Sequence, residues 1–591
     1  MAAAVSILVR ISDIDPIAAK KFIFHAGYWI VFVSSALYFW LLLKYIWPKI
    51  SRLISAKYRW GLLGAMIGAV FLQIHEPRQF KIMYDEYSIT GVARNMHFLR
   101  EASFPTTAHY ISDRLYVTES QIDKRPFFFP FVLSLLHDLT GYRVGNAFIL
   151  NALASLLLLL LVYVFGVKEG GVGLGLALQS LFLSLPLLAQ CTTSGGYDVF
   201  NLCMIGMLWY TGIQYLSQSG AGGLNLFVLT SIHLAQTRYE SILYTLVVIA
   251  LVGYKWWRER VPSLTWLSVV CPLFLALPLL INKILMAIPG SLETKPGQDY
   301  FGFYYFPDNA KRALLYLFTL DFDSSNSFIL SLFGSIALVF LIVAVFVRRR
   351  TFFASEKDTL LFALITIMIA TSILTLCNFW GQWDDPVASR FSLPLCLAFI
   401  LIIGRVVGEL WRSRPVPYWL PALSFSLALA FSVPAAVRSF ATHELISAQE
   451  NAWFENVLST RSKQRVLAIA DSSIGLILYG YPAVSTGKAR TVKWKLNECL
   501  KNRTYDEIIV LERFLSGTAK VAEVPFDGRA LGSDFVREAI AEVRFRANTI
   551  TRASRILRVE GIDSLPPDEY VKEDFAPNDE RYIAHLYKAL P

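Results

Sequence analysis

Charge is scarce in this sequence. Only 17% of its 591 residues are Asp, Glu, Lys or Arg, against about 25% in an ordinary soluble domain. With 55% hydrophobic and 14% aromatic residues, that shortage excludes a solvated, disordered chain and points to a membrane protein. Cysteine is also sparse. Cys191, Cys203, Cys271, Cys377, Cys396 and Cys499 include no CxxC pair, and all but Cys499 lie in or beside apolar segments, so neither a disulfide framework nor a zinc site is expected. Long-period repeats and low-complexity tracts are absent. The first residues are not expected to be a secretory signal, because a mildly polar stretch precedes a full-length apolar run. The net charge of +10 would suggest nucleic acid in a soluble protein. Here Lys and Arg cluster between apolar runs, where they act as topology signals and lipid headgroup contacts, so membrane lipids are the expected partners and nucleic acid is not.

What is present in quantity is apolar sequence. Runs suited to helices crossing a hydrocarbon core about 30 Å thick fall at approximately 29–47, 61–75, 144–166, 172–190, 199–216, 224–237, 241–254, 262–281, 328–347, 359–377, 391–410 and 416–434. Basic loops follow the first, seventh, ninth and eleventh runs: "KISRLISAKYR", "KWWRER", "RRR" and "WRSR". If the runs simply alternate, all these loops share one side, which the positive-inside rule makes cytoplasmic. The apolar stretch from Pro126 to Leu139 breaks the alternation if it spans, and is therefore expected to be a juxtamembrane or re-entrant helix. The expected fold class is an all-α polytopic membrane protein of about 12–13 transmembrane helices with a small C-terminal α/β soluble domain. Residues 1–60 would form an extra helix and a basic cytoplasmic loop, 61–434 the transmembrane module with an outer loop at 76–126, and 435–591 a non-cytoplasmic domain. In that domain Arg465–Asp471 and Tyr505–Glu512 read as strands and Asp534–Phe545 as a helix.

Ionised side chains beside a bilayer are costly and usually mark function or a buried pair. Asp85 and Glu86 stand together about ten residues past a span. Residues 85–100 read as an amphipathic helix with Ile89, Val92, Met96 and Leu99 on its apolar face. From spacing alone, Asp85 could simply complement the helix dipole from the first turn.

The wider pattern adds to this. Asp85-Glu86, then Lys124-Arg125-Pro126 before an aromatic run, Arg143 at a span entrance, Asp198 in "SGGYDVFN", and Arg390 with Pro394 in "ASRFSLPL" occur in order on one expected side. This set, over roughly residues 60–400, resembles the C-type glycosyltransferase superfamily (GT-C). The likeness is to the branch of protein O-mannosyltransferases, the lipid A aminoarabinose transferase and bacterial galacturonosyltransferases. The run at 29–47 is extra relative to that pattern, and Arg-Pro-Phe replaces the commoner double proline.

The resemblance implies a multi-pass enzyme of a bacterial inner or plasma membrane. It would move a sugar from a polyprenyl-phosphate or dolichyl-phosphate carrier to a lipid, glycan or protein acceptor on the non-cytoplasmic face, with inversion. Asp85 is then expected as general base, with Glu86 orienting it. Lys124, Arg125, Arg238 and Arg390 are candidates for the donor phosphate, which suits the guanidinium fork, and Asp198 for the acceptor or for positioning a basic residue. Arg238 has a rival partner in Glu240, and Arg390 in Asp384 and Asp385. His75, His97 and His109 lack HxH or HExxH spacing, so no essential metal or cofactor is expected, and an incidental divalent ion near Asp85 is the most that region would take. A transporter or flippase for a lipid-linked or anionic substrate is the alternative. It would favour two related halves and matching Gly/Pro-broken helices, which the sequence lacks.

Overall fold

The computed structural model describes residues 14–53, 56–111, 113–217, 221–262, 264–287, 299–321, 324–347, 355–412, 416–417, 419–438, 445–515, 524–525, 531–546 and 549–561. The basic stretch 348–350, part of that at 411–414, and the end of the expected C-terminal domain at 562–591 lie outside the described residues. The chain divides into two compact units: residues 1–106, 117–455 and 477–479, and residues 107–116, 456–476 and 480–591.

The first unit is helical. Among the described residues, eight helices are long and apolar enough to cross a membrane: Pro16–Pro48, Asn146–Gly170, Asp198–Ser217, Trp266–Ile284, Phe328–Val347, Glu356–Leu376, Ala388–Leu410 and Trp419–Arg438. A ninth is obtained if Val172–Phe182 and Pro186–Thr192, bent by 77°, form one broken span. Pro186 explains the break: it lacks an N–H and restricts the residue before it, and Leu185 is extended (φ −95°, ψ 102°). The other apolar runs fall on the helix Ala56–His75, the 15-residue helix Ala221–Ala235, and a 3-10 turn, Tyr239–Tyr244, leading into Thr245–Glu259. The expected count of 12–13 thus becomes eight or nine full-length apolar helices plus these less apolar or shorter elements. The proline-aromatic segment is a 13-residue helix, Phe128–Thr140, about 20 Å long at 1.5 Å per residue, less than a hydrocarbon core.

Gly171 (φ +92°) ends Asn146–Gly170 and turns the chain into Val172–Phe182. Where these helices face each other, a Cβ on Gly166 would lie 2.6 Å from the Gly175 Cα, so the backbones approach as only glycine permits. The helix Met83–Phe98 buries Ile89, Val92 and Met96 as its spacing requires, whereas Leu99 is 42% exposed. The helix ends one residue earlier, so Leu99 leaves the apolar stripe.

The second unit is an α/β sheet. Its strands are β1 (Phe104–Ile111), β2 (Arg114–Gln121), β3 (Val466–Ala470), β4 (Ala483–Ser485), β5 (Glu507–Leu515), β6 (Val524–Pro525), β7 (Phe535–Arg546) and β8 (Thr549–Val559). Their order is β2-β1-β4-β3-β5-β8-β7, with β6 on β5. β3 pairs in parallel with β4 and β5, while β8 is antiparallel to β5 and β7. Both strands expected from the β-branched runs at 465–471 and 505–512 are present. Leu467, Ile469, Val484, Ile508 and Val510 form a core with Leu496 from the helix Lys493–Lys501.

Two features differ from expectation. The unit recruits residues 107–116 from the first outer loop, with Ala108 opposite Ala483. Asp534–Phe545, expected as a helix, is mostly β7. From Ala541 to Phe545 the burial alternates residue by residue, the period of a strand. Its Glu and Arg residues instead pair across strands: Arg552 with Glu542 at 2.8 Å, and Arg537 with Glu512 of β5 at 2.6 Å.

Candidate active site

Four chain segments of the helical unit bring charged side chains together. The first is the N-terminus of Met83–Phe98. Asp85 sits in its first turn but does not cap it: the N-cap residue is Ile82, without a side-chain cap bond. Both Asp85 oxygens are held by guanidiniums, Oδ1 by Arg125 and Oδ2 by Arg390. The second segment carries Asp123, Lys124 and Arg125, followed by fully buried Phe127, Phe128, Phe129 and Phe131. Those aromatics anchor it, and the Phe128 N–H donates to the Gln236 carbonyl at 2.9 Å. Arg125 also holds Asp123 at 2.7 Å, with both side chains 3% exposed.

The third segment is the turn before Asp198–Ser217. Asp198 is paired with Arg238 and lies 3.7 Å from Arg390. The fourth is the 3-10 turn Ala388–Ser392, which presents Arg390. Asp385 starts it by accepting from the N–H groups of Val387 (2.7 Å) and Ala388 (3.1 Å), a local side-chain turn. Arg238, extended ahead of Tyr239–Tyr244, holds Glu240 at 2.5 Å as well as Asp198. Its guanidinium lies over the Tyr197 and Phe391 rings, each 5.3 Å away.

Taken along the contacts, Asp123, Arg125, Asp85, Arg390, Asp198, Arg238 and Glu240 alternate in sign. The structure joins Asp85, Arg125, Asp198, Arg238 and Arg390 in this array. Arg238 does take its rival Glu240, while Arg390 takes neither Asp384 nor Asp385. Asp384 goes to Arg312 at 3.3 Å. Lys124 is half-buried beside the array, and its charge acts on Asp85. Arg143 is exposed and stands ahead of its helix.

Burial alone would push the Asp85 carboxyl up, but Arg125 and Arg390 override it and hold it well below the usual carboxylate range. Glu86 behaves oppositely. It is fully buried, and burial pushes its carboxyl up to about 7 against the pull of Lys81. One oxygen accepts from the N–H groups of Lys81 (2.9 Å) and Gly195 (3.3 Å), and the other has no hydrogen-bond partner. Gly195 is required by proximity, since a Cβ there would stand 2.5 Å from the Phe80 ring. Adjacent carboxylates in the sequence therefore occupy different environments, one solvent-touched and clamped by cations, the other dry.

Sequence reading passed over Asp123, Lys81 and Asn151. Lys81 is fully buried and donates to the Gln190 carbonyl at 2.9 Å. Asn151 holds the carbonyls of Ser194 (2.8 Å) and Gly196 (2.6 Å), fixing the turn ahead of Asp198. Asp123, two residues before Arg125, was the signal available. Nothing local marks the other two. Among the described residues, no group of three or more His, Cys, Asp or Glu is placed to hold a metal ion.

Fold and site together define a multi-pass helical membrane protein with a buried array of arginines and carboxylates and a separate sheet unit. No family model matches the sequence, and no curated protein matches it. Solved structures similar to this chain include ArnT from Cupriavidus metallidurans bound to undecaprenyl phosphate, at 14% identity, covering 84% of this chain and 98% of that one, TM-score 0.45. An Archaeoglobus fulgidus oligosaccharyltransferase in the apo form is similar at 10% identity over 78% of this chain and 70% of that one, TM-score 0.45. The arabinosyltransferase EmbB from Mycobacterium smegmatis is similar at 10% identity over 68% of this chain and 41% of that one, TM-score 0.29.

Proposed function

We propose that this protein is an integral membrane glycosyltransferase moving a sugar from a polyprenyl-phosphate or dolichyl-phosphate carrier to an acceptor on the non-cytoplasmic face, with inversion at the anomeric carbon. One observation carries the reading: Arg125 and Arg390 converge on the two oxygens of Asp85. A carboxylate between two guanidiniums occupies the kind of site a phosphate prefers.

In this mechanism the donor phosphate competes with Asp85 for those arginines. As they turn to the phosphate, Asp85 loses the cations that depress its pKa while burial continues to raise it. It thereby becomes a better base when the donor arrives. The acceptor oxygen attacks the anomeric carbon, and its proton passes to Asp85. The carbon–oxygen bond to the phosphate breaks with its electron pair leaving on the phosphate, whose charge the arginines balance. The products are the glycosylated acceptor and the free polyprenyl phosphate. Arg238 holds Asp198 and so positions Arg390, and Glu86 fixes the turn at Gly195 beside them.

The test is to incubate purified protein with radiolabelled polyprenyl-phosphate sugars and a membrane extract. Consumption of one donor with transfer of label supports the reading. No transfer from any donor, in protein that melts cooperatively, removes it.

A further inference from the structure

Two helices of the first unit carry the central ion pair of the array at their starts. Asp85 lies in the first turn of Met83–Phe98, and Arg125 stands just ahead of Phe128–Thr140. The same two helices are joined again at their other ends. Asp138, in the last turn of Phe128–Thr140, accepts from His97 Nδ1 at 2.6 Å and from Arg100 at 2.8 and 3.2 Å. Asp85 and His97 are twelve residues apart, about 18 Å along a helix, so this second joint lies outside the array. It is fixed from behind. The neighbouring His137 is buried, and its Nδ1 accepts from Asn146, the first residue of Asn146–Gly170, at 2.9 Å.

The backbone at Arg100 is strained for the sake of its side chain. Its φ is +58°, the left-handed position after a helix end that glycine fills without cost. An arginine there carries a steric penalty, yet its guanidinium meets the Asp138 carboxylate through two nitrogens. Overall stability does not explain that choice, because the pair is 40% and 28% exposed and such pairs add little. Strain of this kind accompanies function. In the proposed mechanism the donor phosphate draws Arg125 away from Asp85, so the tie at the near ends opens and the far tie stays. We infer that His97, Arg100 and Asp138 are positioning residues, holding Met83–Phe98 and Phe128–Thr140 in register while the donor phosphate parts Arg125 from Asp85. The inference rests on the glycosyltransferase reading.

Arg100→Gly suits the backbone and removes the tie, while Asp138→Asn keeps the shape and removes the charge. Both are expected to melt close to wild type. Both should bind plain undecaprenyl phosphate within about twofold of wild type while kcat, with the donor that wild type uses, falls on the order of tenfold, since a small misplacement of reacting groups is costly. Asp138→Glu keeps the charge and should recover much of the rate. Wild-type kcat in Arg100→Gly and Asp138→Asn overturns the inference. So does a kcat that falls only in step with melting temperature or with affinity, because the tie would then serve the resting fold alone. A second readout needs no turnover. Nitroxides at Leu99→Cys and Leu139→Cys, exposed positions beside the joint, in a chain carrying Cys499→Ser, report the helix separation by electron paramagnetic resonance. Adding undecaprenyl phosphate should broaden that separation in Asp138→Asn and leave it narrow where Asp138 is intact. Equal widths overturn the inference whether or not sugar is transferred. Broadening in a protein whose wild type transfers no sugar upholds the tie and removes the glycosyltransferase reading alone.

Discussion

In the mechanism proposed above, two demands meet at Asp85 that one carboxylate cannot satisfy at once. As a partner for Arg125 and Arg390 it must stay ionised, and as the proposed base it must take a proton. Asp85→Asn keeps the shape but gives up both roles. It is expected to leave the protein folded, to leave or improve the affinity for plain undecaprenyl phosphate, and to lower turnover on the order of a hundredfold or more. Rate with saturating donor, read beside a melting curve, decides this; wild-type turnover would make Asp85 a structural counter-ion only. Glu86→Gln separates the second carboxylate. The folded Glu86 carboxyl lies at about 7 against an ordinary 4.5, so the folded state holds a proton that the unfolded chain releases between those values. That contribution is fully present below pH 4.5 and is lost as pH rises through about 7. The melting temperature of wild type should therefore carry a downward slope with pH over that window which Glu86→Gln lacks. Parallel curves would show that Glu86 does not titrate there. The residue types of this site were legible in the sequence because ionised side chains beside a bilayer are costly and usually mark function or a buried pair. Apart from Arg238 with Glu240, their pairing was not. Asp384 and Asp385 are the near neighbours of Arg390 in sequence, but a turn capped by Asp385 aims that arginine at Asp85 instead.

Elements were readable where one period dominated. The long apolar helices announce themselves by length, and β3 and β5 by short β-branched runs. β7 did not, because its charges fit both a helix face and one side of a strand, and its partner β8 decides between them. The ion pair of Arg537 with Glu512 tests the outcome. Glu512 is only 6% exposed and also accepts from the Leu531 N–H at 2.9 Å, so the pair is worth more than a surface one. A double-mutant cycle with Arg537→Met and Glu512→Gln, followed by thermal unfolding of the full chain, should give a coupling of about 1–3 kcal/mol. No coupling would mean that residue 537 does not reach β5, as the helix reading required. The hairpin β1–β2 was invisible for another reason: its sheet partner lies more than 370 positions away, with Ala108 opposite Ala483, and no local pattern encodes such a pairing.

For the whole molecule the governing quantity is parity. Among the described residues, four apolar helices of spanning length lie between Arg258 and Arg412: Trp266–Ile284, Phe328–Val347, Glu356–Leu376 and Ala388–Leu410. An even number returns the chain to the same side, which agrees with basic loops at both ends lying in the cytoplasm. We propose that Trp419–Arg438, also long and apolar enough to span, crosses once more, which would put the residues after it on the non-cytoplasmic side. The short helix Phe128–Thr140 precedes all of these and does not alter the count. Thiol labelling can read this directly. The six cysteines are free and five are buried, so Cys499 alone needs replacement by serine. Arg258→Cys, Arg412→Cys and Arg558→Cys then place single reactive thiols at side chains 55%, 79% and 70% exposed. A membrane-impermeant reagent on intact cells should label position 558 alone, and positions 258 and 412 only after permeabilisation. Labelling of 412 together with 558 would mean that Trp419–Arg438 does not cross. The reverse of the expected pattern at all three positions would put the arginine array on the cytoplasmic side, where an acceptor outside the cell could not reach Asp85.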